Sequence, residues 1–383
     1  MHNHKILKCF SIALCFIISV SFLSGCSDIN QLHERLIVQG VGVDIDSESG
    51  RYIITMHAFD AINTGPDETD KVQVITQDGL SVFDAINSVS LKNGKQVLFS
   101  QNLLLIIGEN MAKHGIGEIM DFFVRYYEAR PSVSVFVAKN IEAKNILNCK
   151  REDEIIPASS IEYLSKSGRY SSKMIQSDVL DIINSLESGI SAPSVMALEI
   201  EEGDEGELIQ SAGTAVFNND KLVGYLDLED TRGLLLISGN VNGGTFVVPI
   251  EGIGTATLYF DKFKSKVVPR NDNGTPNFEI YLDVDLDLYE VRNDFDKELS
   301  NESFDIIEEK AGEFLIQNCN NVLDTATKTY KADIFNFGKK LRRTDPDFFR
   351  TVEENWQEII PLSEHKVYAD VKIRREGLEM NPM

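Results

Sequence analysis

Cys26 has the clearest chemical potential in the chain, because it directly follows Leu23-Ser24-Gly25. Ahead of it, Lys5 and Lys8 make a short basic start, and residues 9–22, CFSIALCFIISVSF, are apolar apart from three serines. That run is too short to cross a hydrocarbon layer about 30 Å thick, which takes roughly 20 apolar residues as helix. It reads as a secretory signal. Leu-Ser-Gly-Cys looks like a bacterial lipobox, in which the sulfur takes a diacylglyceryl group and cleavage leaves Cys26 as the new N-terminus. Each buried CH₂ adds about 0.8 kcal/mol, so two acyl chains on one sulfur hold a protein at a membrane essentially permanently. The expectation is a body folded in water and tethered to the outer side of a membrane.

The remaining reactive residue types form weaker patterns. Beyond residue 25 the histidines are His33, His57, His114 and His365, none at i,i+4 spacing, so a metal site would have to be assembled by the fold. Structural or surface histidines are the favoured reading. Asp283, Asp285 and Asp287 in DVDLDL share one strand face. They could hold a hard cation, but Ca²⁺ takes six to eight oxygens and the next loop lacks the EF-hand pattern, so a solvated face is preferred. GIGTAT (252–257) starts like a dinucleotide loop but lacks the third glycine and runs into a strand. HExxH, GxSxG, G-x(4)-G-K-[ST] and CxxC are absent. Cys149 and Cys319, far apart, read as buried small hydrophobes and not as a disulfide framework. Arg125 and Arg130 in VRYYEARP are candidates for a buried ion pair or a partner contact, with the structural role preferred. No catalytic, cofactor or metal site is assigned, and the chain is read as a non-enzyme.

Composition sets the frame for those residues. Without residues 1–25, which carry two lysines and no acids, 358 residues remain with 35 basic and 60 acidic side chains, a net charge of −25. That balance argues against nucleic acid or an anionic lipid surface as the main partner, and 43% apolar residues argue against disorder. The length suits two or three domains.

Periodicity then supplies the elements. Residues 36–45 and 51–59 read as a hairpin and 71–76 as a further strand. A helix is predicted over 79–94 with Gly94 as its cap, a strand buried on both faces over 102–108, a helix over 115–129 and a strand over 132–138. The spacing predicts another helix over 171–188. GISAPSV (189–195) and EEGDEGE (201–207) read as a domain boundary with a charged linker. Beyond it come a hairpin around Asn218-Asn219-Asp220, a short helix near TRGLLLIS and long strands at 243–250, 254–268 and 277–291. The longest helix is placed at about 300–328, shorter helices at 333–343 and 345–356, and a closing strand at 365–375. The fold class is α+β and multi-domain, with mostly antiparallel or mixed sheets packed with helices. The segments are 1–25 as signal, 26–200 as an N-terminal α/β domain and 201–383 as a C-terminal α+β region. A division of the last into about 207–250 and 251–383 is left open.

SAGTAVFNNDKLVGYLDLEDTRGLLLISG (211–239) resembles the signature of the C-subunit lipoproteins of bacterial spore germinant receptors, the Ger(x)C family. GVGVD (40–44), IIGENMAKHGIGEIMDFFVRYYEARPSVSVFVAK (106–139) and the stretch from ADIFNFGKKLRR to KVYADVKIRREG (332–377) resemble other blocks of it, in the expected order. Two departures follow the anchor: Cys26-Ser27-Asp28 stands for the family's Cys-Trp-Asp, and Gln31-Leu32 for its Glu-Leu. The resemblance implies a non-enzymatic receptor subunit, with lipid at Cys26, on the outer face of the cytoplasmic (spore inner) membrane. The implied partners are an A and a B membrane subunit, and no cofactor is implied. The alternative is a solute-binding lipoprotein accessory to a transporter, which two similar lobes of regular βαβ alternation would favour.

Overall fold

The structure is a computed structural model that describes residues 35–60, 72–126, 128–152, 154–204, 206–251, 254–293 and 301–376. Cys26, His33 and the signal lie outside these residues, as does Gly252 of the GIGTAT run.

β1 (Arg35–Ile45) and β2 (Tyr52–Asp60) form the expected antiparallel hairpin, and β3 (Gln73–Gly79) pairs with the outer side of β2. β4 (Gln96–Leu98) and β5 (Leu104–Gly108) run parallel to β1. β6 (Ser134–Ala138) runs parallel to β5, and β9 (Ser194–Gly203) to β6. Two short strands, β7 (Lys150–Arg151) and β8 (Glu154–Ile155), lie beyond β10 (Gly206–Asn218), which also carries β11 (Lys221–Leu226). Together they make one eleven-stranded sheet. The second sheet has four strands, β12 (Thr245–Ile250), β13 (Gly254–Asp272), β14 (Thr275–Asn293) and β15 (His365–Glu376), in sequence order.

The parallel centre of the larger sheet needs cover on both faces, because parallel crossovers place helices there. All five residues of β5 are buried, and they alternate between two cores. Leu105 and Ile107 face α1 (Val82–Asn93), α2 (Glu109–His114), α3 (Gly117–Arg125) and α6 (Val179–Ser188). Leu104 and Ile106 face α4 (Ala143–Leu147), α5 (Ala158–Ser167) and α7 (Leu228–Ser238). The second core continues through α7 onto the smaller sheet and α8 (Asn301–Leu323), so α7 is a wall shared by both sheets. α9 (Phe337–Thr344) and α10 (Pro346–Val352) close the far side before β15.

Several expectations change in detail. Most of EEGDEGE is strand and not linker: residues 201–203 end β9 and 206–207 open β10, where Gly203 pairs with Gly206. The expected division at 200/201 therefore falls inside β9, and the larger sheet takes strands from either side of it. The helix expected over 171–188 starts only at Val179. Asp178 caps it, and the backbone before that point bonds sideways to β6, with Val135 N–H donating to the Ser177 carbonyl. The helix expected over 115–129 is interrupted at its start and stops at Arg125, with Gly115 at φ +142° separating α2 from α3.

Candidate functional site

Three of the quoted sequence blocks place a charged side chain deep in the structure. In GVGVD, Gly40 and Gly42 leave room for helices. A Cβ on Gly42 would lie 2.9 Å from Leu147 Cδ1, and one on Gly40 would lie 3.0 Å from Ala158 Cβ. The close approach lets Asp44, 2% exposed, accept from the N–H groups of Ala143 (2.7 Å) and Lys144 (3.0 Å), the first two residues of α4. Burial pushes the Asp44 carboxyl up to about 6, against the lowering pull of those two bonds. At the other end of α4, His57 Nε2 lies 2.5 Å from the Leu147 carbonyl. That carbonyl can only accept, so the ring carries its proton on Nε2, and burial holds its pKa down.

In the 211–239 block the buried charge is Arg232, 1% exposed at the middle of α7. Its Nη1 donates to Glu229 at 2.6 Å, its Nη2 donates to the Thr245 carbonyl at 3.3 Å, and its guanidinium lies over Phe246 and Phe314 at 5.8 and 6.0 Å. One turn of α7 thus ties to a strand of the smaller sheet and to α8. Thr231 bonds Thr214 of β10 across the other side at 2.9 Å, and Gly233 lets α8 approach until a Cβ there would meet the Asn318 carbonyl at 2.4 Å. Residues 231–233 are therefore the pin between the sheets. Sequence reading did not single out Arg232, although one cation beside LLLI on a helix was a usable signal.

In ADIFNFG, Asp333 is 4% exposed and accepts from the N–H groups of Phe337 (2.9 Å) and Gly338 (2.8 Å) and from the Trp356 indole (3.2 Å). Burial pushes its carboxyl up to about 6. Asn336 precedes α9 at φ +58°, a left-handed position that asparagine tolerates. His365 stacks on Phe278 and Phe337 and contacts Ser363 Oγ at 3.1 Å, and burial pushes its pKa down to about 4.

A cleft of about 540 Å³ opens beside this last corner, lined by Ser177, Asp181 and Asn184 on one side and by Asn240, Asn242, Asn336 and Lys339 on the other. The size fits a small molecule, although amides and hydroxyls predominate where most ligand sites are largely apolar.

The other expected residues go to bland places. Asp283, Asp285 and Asp287 lie on the outer face of the smaller sheet, where the register sets Lys264 opposite Asp283 and Lys262 opposite Asp285. Arg374 bonds Asp285 at 2.6 Å, so this is a charge-paired sheet face and Asp287 is buried at its end. Arg125 and Arg130 are both exposed, and Arg125 pairs with Asp121 of its own helix at 2.7 Å, which removes the buried ion pair expected there. The end of α3 is fixed instead by Arg35 and Glu128 at 3.4 Å. Cys149 and Cys319 are buried and unpaired, and burial pushes the Cys149 thiol up to about 12. Among the described residues no three or more His, Cys, Asp or Glu side chains are grouped to hold a metal, and no helix is long and apolar enough to cross a membrane.

Comparison with known proteins covers both halves. Residues 28–200 match the family described as spore germination protein N-terminal domain, and residues 212–377 match spore germination B3/GerAC like, C-terminal. The chain is 23% identical to spore germination protein KC of Bacillus subtilis, over 98% of each chain. It is 22% identical to spore germination protein B3 of the same organism, over 93% of this chain and 95% of that one. The crystal structure of the GerBC protein superposes with a TM-score of 0.56 at 20% identity, covering 87% of this chain and 96% of that one.

Proposed function

The chain belongs to the Ger(x)C family of spore germination proteins, and on that premise we propose that it is the lipoprotein C subunit of a germinant receptor. It is acylated at Cys26, sits on the outer face of the cytoplasmic (spore inner) membrane and is needed for the germination response to nutrients. It acts by assembly with an A and a B membrane subunit and not by catalysis. The observation that carries this reading is the family match in both halves, which meet within the β9–β10 hairpin. The Leu23-Ser24-Gly25-Cys26 sequence supports the anchor. The chemistry of the buried charges supports the absence of catalysis: Asp44, Arg232 and Asp333 are all committed to helix ends or to the joint between sheets. The transporter-accessory alternative gains no support, because sheets of eleven and four strands are not two similar lobes.

Replacing Cys26 by Ala in the producing organism tests the reading. The protein is expected to be lost in large part from the membrane fraction of the spores, and the response to nutrients to fall at least tenfold, since the acyl chains supply most of the membrane affinity. Full membrane retention with a normal response would refute it.

A further inference from the structure

Lys339, Lys340, Arg342 and Arg343 stand within five residues on α9, in a chain whose net charge is −23. Among the described residues none of the four takes part in an ion pair. Asp181 faces Lys339 across the cleft, and the other neighbouring acids are engaged elsewhere. Asp333 is sealed under the helix start, Asp345 caps α10 through Phe348 N–H, and Asp347 pairs with Arg350 at 2.8 Å. Phe337, Gly338 and Leu341 face inward, Arg342 and Arg343 are exposed, and Lys339 and Lys340 are half-buried, Lys339 at the lining of the cleft.

The register of the larger sheet gives this cluster a direction. Gly40 is level with Leu104, Leu104 with Ser134, and Phe136 with Met196, so the starts of β5, β6 and β9 share one end of the sheet. β1 enters at that end, with Arg35 farthest out. Ala192 N–H donates to the Asp333 carbonyl at 3.0 Å and Ser191 Oγ to Asn336 Oδ1 at 3.0 Å, which fixes the start of α9 beside the start of β9. α1 also finishes at that end, with Leu91 78% exposed just before Gln96 pairs with Arg35. So does α3, with Val124 61% exposed near the Glu128 that holds Arg35. Only residues 27–34 separate Cys26 from Arg35, a reach of at most about 30 Å.

We propose that this end of the molecule, with the α9 cations beside the start of β9, lies against an anionic phospholipid surface. The proposal rests on the anchor at Cys26 for its geometry and adds a contact face to it. The acidity of the whole chain does not oppose it. Screening cuts charge interactions off at roughly 8 Å in physiological salt, so the groups held at the surface decide the sign, and each Lys or Arg there adds its own attraction.

The test separates this face from the acylation itself. The chain of residues 26–383 is coupled through Cys26 to a maleimide lipid, since Cys149 and Cys319 are buried. It is then placed on vesicles of phosphatidylcholine alone or of phosphatidylcholine with phosphatidylglycerol. Mass spectrometry reads amine labelling of Lys339 and Lys340, with Lys262 and Lys264 on the open sheet face as internal standards. Labelling of the α9 lysines is expected to slow at least fivefold on the anionic vesicles and to recover in high salt or with Arg342→Gln plus Arg343→Gln. Equal labelling on both vesicles, or protection that survives the double substitution, would overturn the proposal. Neither outcome depends on whether Cys26 is acylated in the cell, which the Cys26→Ala experiment reads separately.

Discussion

Two corners of the molecule, one against each sheet, use the same residue types in the same way. Asp44 closes the start of α4 and Asp333 the start of α9, each accepting from the first two N–H groups of its helix. Each corner also holds a histidine whose pKa is held down, the buried His57 in the first and the half-buried His365 in the second. They differ at the other helix end. His57 closes the last carbonyl of α4, leaving a sealed helix of five residues. α9 is closed by its own chain, with Asp345 N–H donating to the Leu341 carbonyl and Thr344 Oγ1 to the Lys340 carbonyl, both at 2.8 Å, and its last turn keeps Arg342 and Arg343 exposed. A charged residue in a family-like block is thus structural where it is buried at a helix start, as Asp44 and Asp333 are, and solvent-facing where it stands on the last turn, as Arg342 and Arg343 do.

The largest expected effect would break the first corner. In Gly108→Ala the new Cβ would fall 1.8 Å from Asp44 Oδ1. The carboxylate must leave both N–H groups while still buried, and unfolding titrations are expected to show a loss of about 4 kcal/mol or more. A loss under about 1 kcal/mol would mean that Asp44 is not the cap it is taken to be.

Next, the corners can be ranked against each other. Asp333→Ala strands three donors, including the Trp356 indole, and Asp44→Ala strands two. At 1–3 kcal/mol for each buried unsatisfied group, Asp333→Ala is expected to cost about 1–2 kcal/mol more. The reverse order would show that the two corners are not equivalent devices.

The smallest effect is a change of slope with pH. Asp333 rises from 3.8 to about 6 on folding, so the native state holds its proton more tightly, and this group favours folding more as pH falls from 6 to 4. His365 falls from 6.5 to about 4, so over the same window it favours folding less. The two slopes oppose each other. His365→Phe, which keeps the stack on Phe278 and Phe337, is expected to uncover the Asp333 slope and make the protein roughly 1–3 kcal/mol more stable at pH 4 relative to pH 6.5 than the parent gains over that interval. Denaturation midpoints at the two pH values measure it, and an unchanged difference would reject the opposed pair.

Much of the fold was legible because its signals are local. Alternation gave the β1–β2 hairpin, an unbroken apolar run gave β5, and Gly94 gave the left-handed cap of α1 at φ +65°. The errors lie where distant contacts override local pattern. Residues 171–178 carry helical periodicity, but the chain turns at 171–173 and bonds to β6 hold Ser177 and Asp178 extended. EEGDEGE has a linker's composition, yet residues 201–203 and 206–207 within it pair as the ends of β9 and β10. Site reading met the same limit. The glycines of GVGVD were visible, but their reason, helices packed against them from more than a hundred residues away, was not. Lys339 to Arg343 were quoted within a block and given no role, because chain order cannot show that they share an end with Arg35.

Trp356 is the sole tryptophan of the chain, 2% exposed against Gly338 and bonded to Asp333. Nature has thereby installed one fluorophore, in the smaller-sheet half alone, whereas far-ultraviolet circular dichroism averages over both. Melting curves from the two signals that coincide would mark a single cooperative unit pinned through α7. Curves that separate would time the parting of the halves without any label being added.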